Sequence, residues 1–404
     1  MRSRLALVLL AGSLAFSGAA LGATPPPQPK AGAGGADYAA GDVVKRAVGR
    51  ASAATYVFHR AGTPDQPRPV AVFLHAWGAT NPQIYGGWIE HLARKGYLVL
   101  YPRFQELNRT RPAEATAQAV GLLKDAFAQL GQDAEAKPDL GRVVLVGHSA
   151  GAALAFNLAA KAAQDGLPVP KLVLGTMPGG VAKDEKSRGI VLEDLSRIDP
   201  ATLLVTVIGD REWQASDRTA KRLMREASSV PLTRKVLMRA PSDEYGFPTL
   251  AAALASPGST KDAFDGAKIK LPPDPPVDPK APKARAPKWS ADMVLSGEQS
   301  ILVAQLGQNV TDSVDYYAFW KTLDLAATAA FEGKDGETLR KDAALTDMGR
   351  WSDGWPVKRL SAEAPKPEAP ATAQPAAAPV ATGKGQSPTL RATPRATPKA
   401  SARR

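Results

Sequence analysis

The 404-residue chain contains no cysteine. That absence excludes a disulfide framework, a thiolate nucleophile, a Cys-ligated zinc and a lipoprotein-type acylation site. Histidine is also scarce: the four are His59, His75, His91 and His148, and none follows position 148. No internal repeat is visible, and nothing in the sequence calls for a cofactor or a metal. The net charge of +12 has the look of a nucleic-acid signal until it is divided along the chain. The tail 362–404 carries +5, the stretch 257–288 carries +3, and Arg2 and Arg4 add +2, so about +2 is left for the body. A specific nucleic-acid partner is therefore not expected. Long apolar runs are missing as well, the longest being Leu5 to about Phe16, short for a membrane span.

That short run has a purpose of its own. Arg2 and Arg4 precede it and small residues ending at Ala20-Leu21-Gly22-Ala23 follow, so residues 1–23 have the layout of a secretory signal and predict a secreted or periplasmic protein. Residues 24–52 are read as a flexible lead-in and 53–356 as one folded domain. Within the domain, 257–288 is a Pro, Lys and Asp mixture without apolar periodicity, read as an exposed loop or mobile flap. Residues 357–404 are Ala, Pro and basic, and predict a disordered tail suited at most to a cell-envelope polyanion.

The domain is organised around Val143-Val144-Leu145-Val146-Gly147-His148-Ser149-Ala150-Gly151, where an apolar run breaks into Gly-x-Ser-x-Gly and continues as a small-residue helix. A buried strand turning sharply into a helix presents the serine at the crest of the turn, and the glycines leave room for the turn to close. Ser149 is the candidate nucleophile, and the Ala150 N–H, opening the helix, is a candidate oxyanion donor. Short apolar runs flank this element at 53–58, 69–75, 97–102, 171–175, 202–209 and 234–239, separated by helical patterns such as 85–95, 111–130 and 216–228. Such alternation predicts an α/β fold with a mostly parallel sheet covered on both faces.

With the elbow, the His75-Ala76-Trp77-Gly78 turn and this alternation together, the chain resembles the α/β-hydrolase superfamily over roughly 56–356, and within it the dienelactone-hydrolase-like and chlorophyllase-like members. The resemblance implies an α/β-hydrolase fold, ester or lactone substrates and Trp77 N–H as second oxyanion donor. It also implies an acid in Ile208-Gly209-Asp210-Arg211-Glu212, with Glu212 first and Asp210 second. The histidine of the superfamily should come after that acid. Tyr245 of Tyr245-Gly246 stands at the expected place, and a phenol with a pKa near 10 is a poor base at neutral pH. Restoring imidazole by Tyr245→His is then expected to raise the rate if position 245 reaches Ser149. His148, next to the nucleophile, and His75, in the turn, are read as packing and bracing residues.

Two functions remain open on the sequence. One is an exported serine hydrolase of carboxylic esters or lactones, slow because its histidine is missing. The other is a degenerate member of the fold that binds a small ligand or an envelope partner. Whether the chain is an enzyme is left undecided by the residues.

Overall fold

In the computed structural model, residues 22–183, 187–211, 213–274, 276, 288–295 and 298–366 are described, apart from the side chains of 213–214 and 298–300. Residues 1–21, Glu212, most of 275–287 and the tail from 367 lie outside them.

A nine-stranded sheet runs through the protein in the order β1-β2-β4-β3-β5-β6-β7-β8-β9. The strands are β1 (Val43–Arg50), β2 (Ala53–Arg60), β3 (Arg68–Leu74), β4 (Leu98–Pro102), β5 (Pro138–His148), β6 (Leu172–Thr176), β7 (Leu203–Gly209), β8 (Lys235–Ala240) and β9 (Ser361–Glu363). From β4 across to β8 every pairing is parallel, whereas β1, β2 and β9 add on antiparallel. Parallel strands need crossovers, and these cover both faces. One face carries α1 (Gly86–Arg94) and α5 (Lys321–Phe331); the other carries α2 (Ala115–Leu130), α3 (Ala150–Asp165) and α4 (Trp213–Glu226). The period of two along a strand explains the continuous apolar runs. Val70, Val72 and Leu74 pack against α2 and α3, while Ala71 and Phe73 pack toward α1, where Phe73 meets Trp88 edge-on at 5.3 Å.

Three expectations need correction. The lead-in is ordered, because β1 lies inside it and pairs with β2 over all eight of its residues. Its valines at 43, 44 and 48 alternate too poorly to be read as a strand from sequence. The stretch 257–288 is not a free flap over its described part. The N–H groups of Gly87 and Trp88, which open α1 without intrahelical partners, bond to the Ser259 carbonyl at 2.8 Å and its Oγ at 3.0 Å. Phe264 and Ile269 are buried beneath. Finally, the tail starts later than 357, since β9 pairs with β8.

Candidate active site

The elbow forms as the residue pattern requires. Ser149 lies at the C-terminal end of β5 with φ 53° and ψ −116°, a conformation outside the regions open to most L-residues. Its N–H donates to the Thr176 carbonyl of β6 at 3.0 Å, and its carbonyl accepts from Gly179 and Ala152. Gly147 and Gly151 have no space for a side chain. A Cβ at 147 would stand 2.2 Å from the Gly151 carbonyl oxygen, and one at 151 would stand 2.0 Å from that of Leu74. The second approach ties the elbow to the end of β3, and so to the 75–78 turn that follows it.

That turn is held from several sides. The Ala76 N–H donates to the Tyr85 hydroxyl at 3.1 Å, Gly78 N–H donates to Gln105 Oε1 at 2.7 Å, and the Trp77 indole donates to the Met293 carbonyl at 3.2 Å. The two oxyanion candidates, Trp77 and Ala150, therefore belong to adjoining segments, one after β3 and one after Ser149. Beside them pack Leu295 and Val303. Leu295 Cδ1 would be 2.9 Å from a Cβ on Gly180, and Val303 Cγ2 would be 2.8 Å from one on Gly78. These side chains and the Pro178-Gly179-Gly180 turn, where Gly179 faces Ser149 Oγ, are parts of the site that sequence reasoning missed. The proline-glycine pair straight after β6 was the signal available.

A serine at a strained strand-to-helix turn beside the loop that joins β3 to the first crossover helix is the arrangement of one superfamily. The profile of the chlorophyllase family also matches, over residues 57–211. The chain is an α/β-hydrolase-fold protein. Solved structures similar to it include a Klebsiella pneumoniae protein assigned as a dienelactone hydrolase (14% identity, 52% of this chain and 89% of that one, TM-score 0.38). An esterase from the archaeon Pyrobaculum calidifontis is similar at 14% identity, over 51% of this chain and 75% of that one, TM-score 0.39. An α/β hydrolase from a Medee basin deep-sea metagenome library matches at 15% identity, over 51% and 83%, TM-score 0.39. No curated protein matches the chain. The assignment is one of fold and rests on the strand order and the elbow rather than on these structural likenesses.

Within this hydrolase fold the histidines are all engaged elsewhere. The His148 ring is fully buried; its Nδ1 accepts from the Tyr85 hydroxyl at 2.8 Å and its Nε2–H donates to the Leu254 carbonyl at 2.7 Å. A carbonyl can only accept, so the proton is fixed on Nε2. Burial holds this imidazole neutral, lowering its pKa to about 4. His75 is pressed between Tyr101 and Phe104, donates from Nδ1 to the Ala76 carbonyl at 2.8 Å, and is likewise pushed by burial to about 4. His59 bonds to the Arg60 carbonyl, and His91 bridges Tyr38 and Asp324 at 3.0 Å on each side.

The acid candidates stand apart from Ser149 in their bonding. Asp210 is exposed at the end of β7, and its carboxylate accepts from the Ser242 N–H at 2.7 Å and the Ser242 hydroxyl at 2.5 Å. Glu212 lies outside the described residues. Tyr245 donates its hydroxyl to Asp353 Oδ2 at 2.6 Å and stacks on Trp355 at 5.8 Å. That hydrogen bond raises the phenol pKa further, against any role as a base. Asp210 and Tyr245 thus share the Ser242–Asp243 loop with each other. Between them and the elbow runs 251–255, whose Ala252 carbonyl approaches Gly209 and whose Leu254 carbonyl holds His148. Among the described residues Ser149 Oγ makes no hydrogen bond, and its surface is 9% exposed. The site has a nucleophile and two candidate amide donors on adjoining segments; among the described residues no general base contacts Ser149 Oγ.

Proposed function

We propose that this α/β-hydrolase-fold protein is an exported, slow serine hydrolase of small carboxylic esters or lactones, with Ser149 as nucleophile. The single observation that carries the reading is the retained elbow strain. A backbone at φ 53°, ψ −116° costs on the order of 1–3 kcal/mol, and such strain is sustained where it aims a reactive group. In the reaction Ser149 Oγ attacks the ester carbonyl, its proton passing to solvent hydroxide or water in place of imidazole. The tetrahedral oxyanion is stabilised by the N–H groups of Ala150 and Trp77. The alkoxide leaves and is protonated by water, and water then releases the acid from the acyl-serine. Oxyanion stabilisation without a triad base still leaves about 10³–10⁴-fold over water. Loss of the base itself costs about 10²–10⁴-fold.

The test is the pH profile of hydrolysis of p-nitrophenyl acetate, compared with Ser149→Ala. With hydroxide as the base, the Ser149-dependent rate climbs tenfold per pH unit above neutrality, without a plateau. A plateau above a midpoint near 6.5 would mean that an imidazole serves Ser149, and the reading fails.

A second reading has an observation of its own. Capture of His148 between Tyr85 and Leu254 buries the imidazole nearest in sequence to the nucleophile in a structural role, which suits a scaffold that binds a small ligand without turning it over. Rates equal to those of Ser149→Ala at every pH would favour it. Export is proposed on the Arg-flanked apolar run and the small residues ending at Ala23. A contact between the basic tail and an envelope polyanion rests on charge alone.

A further inference from the structure

We propose that Tyr85 is a positioning residue for the oxyanion hole, its hydroxyl tying the 75–78 turn to the elbow through His148. The inference deepens the hydrolase reading and rests on it, since it takes Ser149 as nucleophile and the N–H groups of Trp77 and Ala150 as oxyanion donors. One donor follows β3 and the other follows β5, so their separation depends on what bridges the two segments. The close approach of Gly151 to Leu74 joins the elbow to the end of β3. A chain of hydrogen bonds joins it to the turn beyond. The Ala76 N–H donates to the Tyr85 hydroxyl at 3.1 Å, that hydroxyl donates to His148 Nδ1 at 2.8 Å, and His148 Nε2–H donates to the Leu254 carbonyl at 2.7 Å. Its direction is fixed at both ends, because a peptide N–H only donates and a carbonyl only accepts; the phenol is left one way to turn and the imidazole one tautomer.

The chain ends beside both donors. Ala76 immediately precedes Trp77, and His148 immediately precedes the nucleophile. The Ala76–Trp77 peptide is gripped from its other side as well, where the Ala76 carbonyl accepts from His75 Nδ1–H at 2.8 Å and from the Ala79 N–H at 2.9 Å. In a trans peptide the N–H points away from the carbonyl, so those two bonds set the direction of the Trp77 N–H while Tyr85 sets where the turn stands against the elbow. Ala76, Tyr85 and His148 are fully buried, and water cannot replace a link that is removed. Burial also raises the Tyr85 phenol above its ordinary pKa and holds the imidazole neutral, which keeps the chain in a single protonation state at neutral pH.

Packing alone does not account for the hydroxyl. The Tyr85 ring lies 4.8 Å from that of Phe73 on β3 and meets His148 edge-on at 5.8 Å, contacts that phenylalanine would keep. What the oxygen adds is the pair of bonds to Ala76 and His148. A displacement of about 1 Å at a reacting centre can cost about 10²-fold, so a strut between the two halves of an oxyanion hole acts on the rate and not only on stability.

The experiment measures kcat and KM for p-nitrophenyl acetate, with urea unfolding alongside, in wild type, Ser149→Ala, Tyr85→Phe, His148→Leu, His148→Gln and Thr202→Val. Glutamine keeps an acceptor toward Tyr85 and a donor toward Leu254, whereas leucine keeps neither. Thr202 is buried just before β7, at the end of the sheet away from Ser149, and its Oγ1 donates to the Pro170 carbonyl at 2.9 Å; its loss reports stability alone. The Ser149-dependent kcat is expected to fall about 10–100-fold in Tyr85→Phe and His148→Leu with KM within about twofold, and to return to within about threefold of wild type in the conservative His148→Gln. Thr202→Val loses stability and keeps kcat. An unchanged kcat in Tyr85→Phe, a change confined to KM, an equal fall in Thr202→Val, or His148→Gln as slow as His148→Leu overturns the inference and leaves the hydrolase reading standing. If Tyr85→Phe does not fold, the two His148 variants make the same comparison. Wild-type rates no higher than those of Ser149→Ala would instead remove the hydrolase reading, and this inference with it.

Discussion

Replacing His148 by glutamine should flatten the pH dependence of stability. Glutamine can keep an amide donor toward the Leu254 carbonyl and an acceptor toward the Tyr85 hydroxyl, but it does not titrate. In the fold the imidazole has its pKa lowered from 6.5 to about 4 by burial. The unfolded chain therefore binds a proton that the folded one refuses over this window. Stability from this group is complete above pH 6.5 and is lost as pH falls toward 4. The loss per histidine works out at about 2 kcal/mol by pH 5 and about 3 kcal/mol by pH 4, using 1.36 kcal/mol per unit. His75 behaves in the same way, and the half-buried Asp312 and buried Asp315, whose carboxyls burial raises, act in the opposite sense. All three cancel when wild type and variant are compared. Urea unfolding at about pH 7.5 and about pH 5 should show the stability gap between the two proteins shifting by about 2 kcal/mol in favour of the variant. Parallel pH dependences would mean that His148 keeps an ordinary pKa, and with it an exposed or Ser149-facing ring.

Three further outcomes follow from the same geometry. Gly151→Ala drives a methyl to 2.0 Å from the Leu74 carbonyl oxygen, so the elbow must shift; a loss of more than about 3 kcal/mol in urea unfolding, and of Ser149 reactivity, is expected. Tyr245→His, expected from sequence alone to raise ester hydrolysis, should instead leave kcat/KM within about threefold of wild type, because the side chain at 245 faces Asp353 and Trp355 and a missing base would otherwise be worth far more. A chain ending at Lys366 should keep its melting temperature, whereas one ending at Leu360 loses β9 and the bonds it makes to β8, and should melt several degrees lower.

Much of the scaffold could be read from the sequence because parallel strands buried on both faces are continuous apolar runs. β2 to β8 and the helices between them all fall where those runs and their intervening periodicities lie. The edges were not legible for the same reason. β1 and β9 are edge strands with half-exposed residues, and their stability comes from pairing with β2 and β8 rather than from their own pattern. Ser149 was plain, since the glycine pair around it has a steric cause visible in the motif. Its surroundings were harder. Leu254 reaches His148 of the elbow, and Leu295 and Val303 reach the glycine turns beside it at Gly180 and Gly78, from 100 or more residues along the chain, and their local composition says nothing of where they pack. The four histidines illustrate the limit: their positions showed that none follows the acid, but only tertiary contacts reveal that Tyr85 and Leu254 hold His148 in place.

The central claim, that Ser149 is a poised nucleophile without a base, is tested most directly by incubating the purified protein with a fluorophosphonate and mapping the adduct by mass spectrometry. The account predicts a single phosphonylated residue, Ser149, formed slowly and faster with rising pH, and absent from Ser149→Ala. No adduct at Ser149 at any pH, or labelling of another serine in its place, would contradict it.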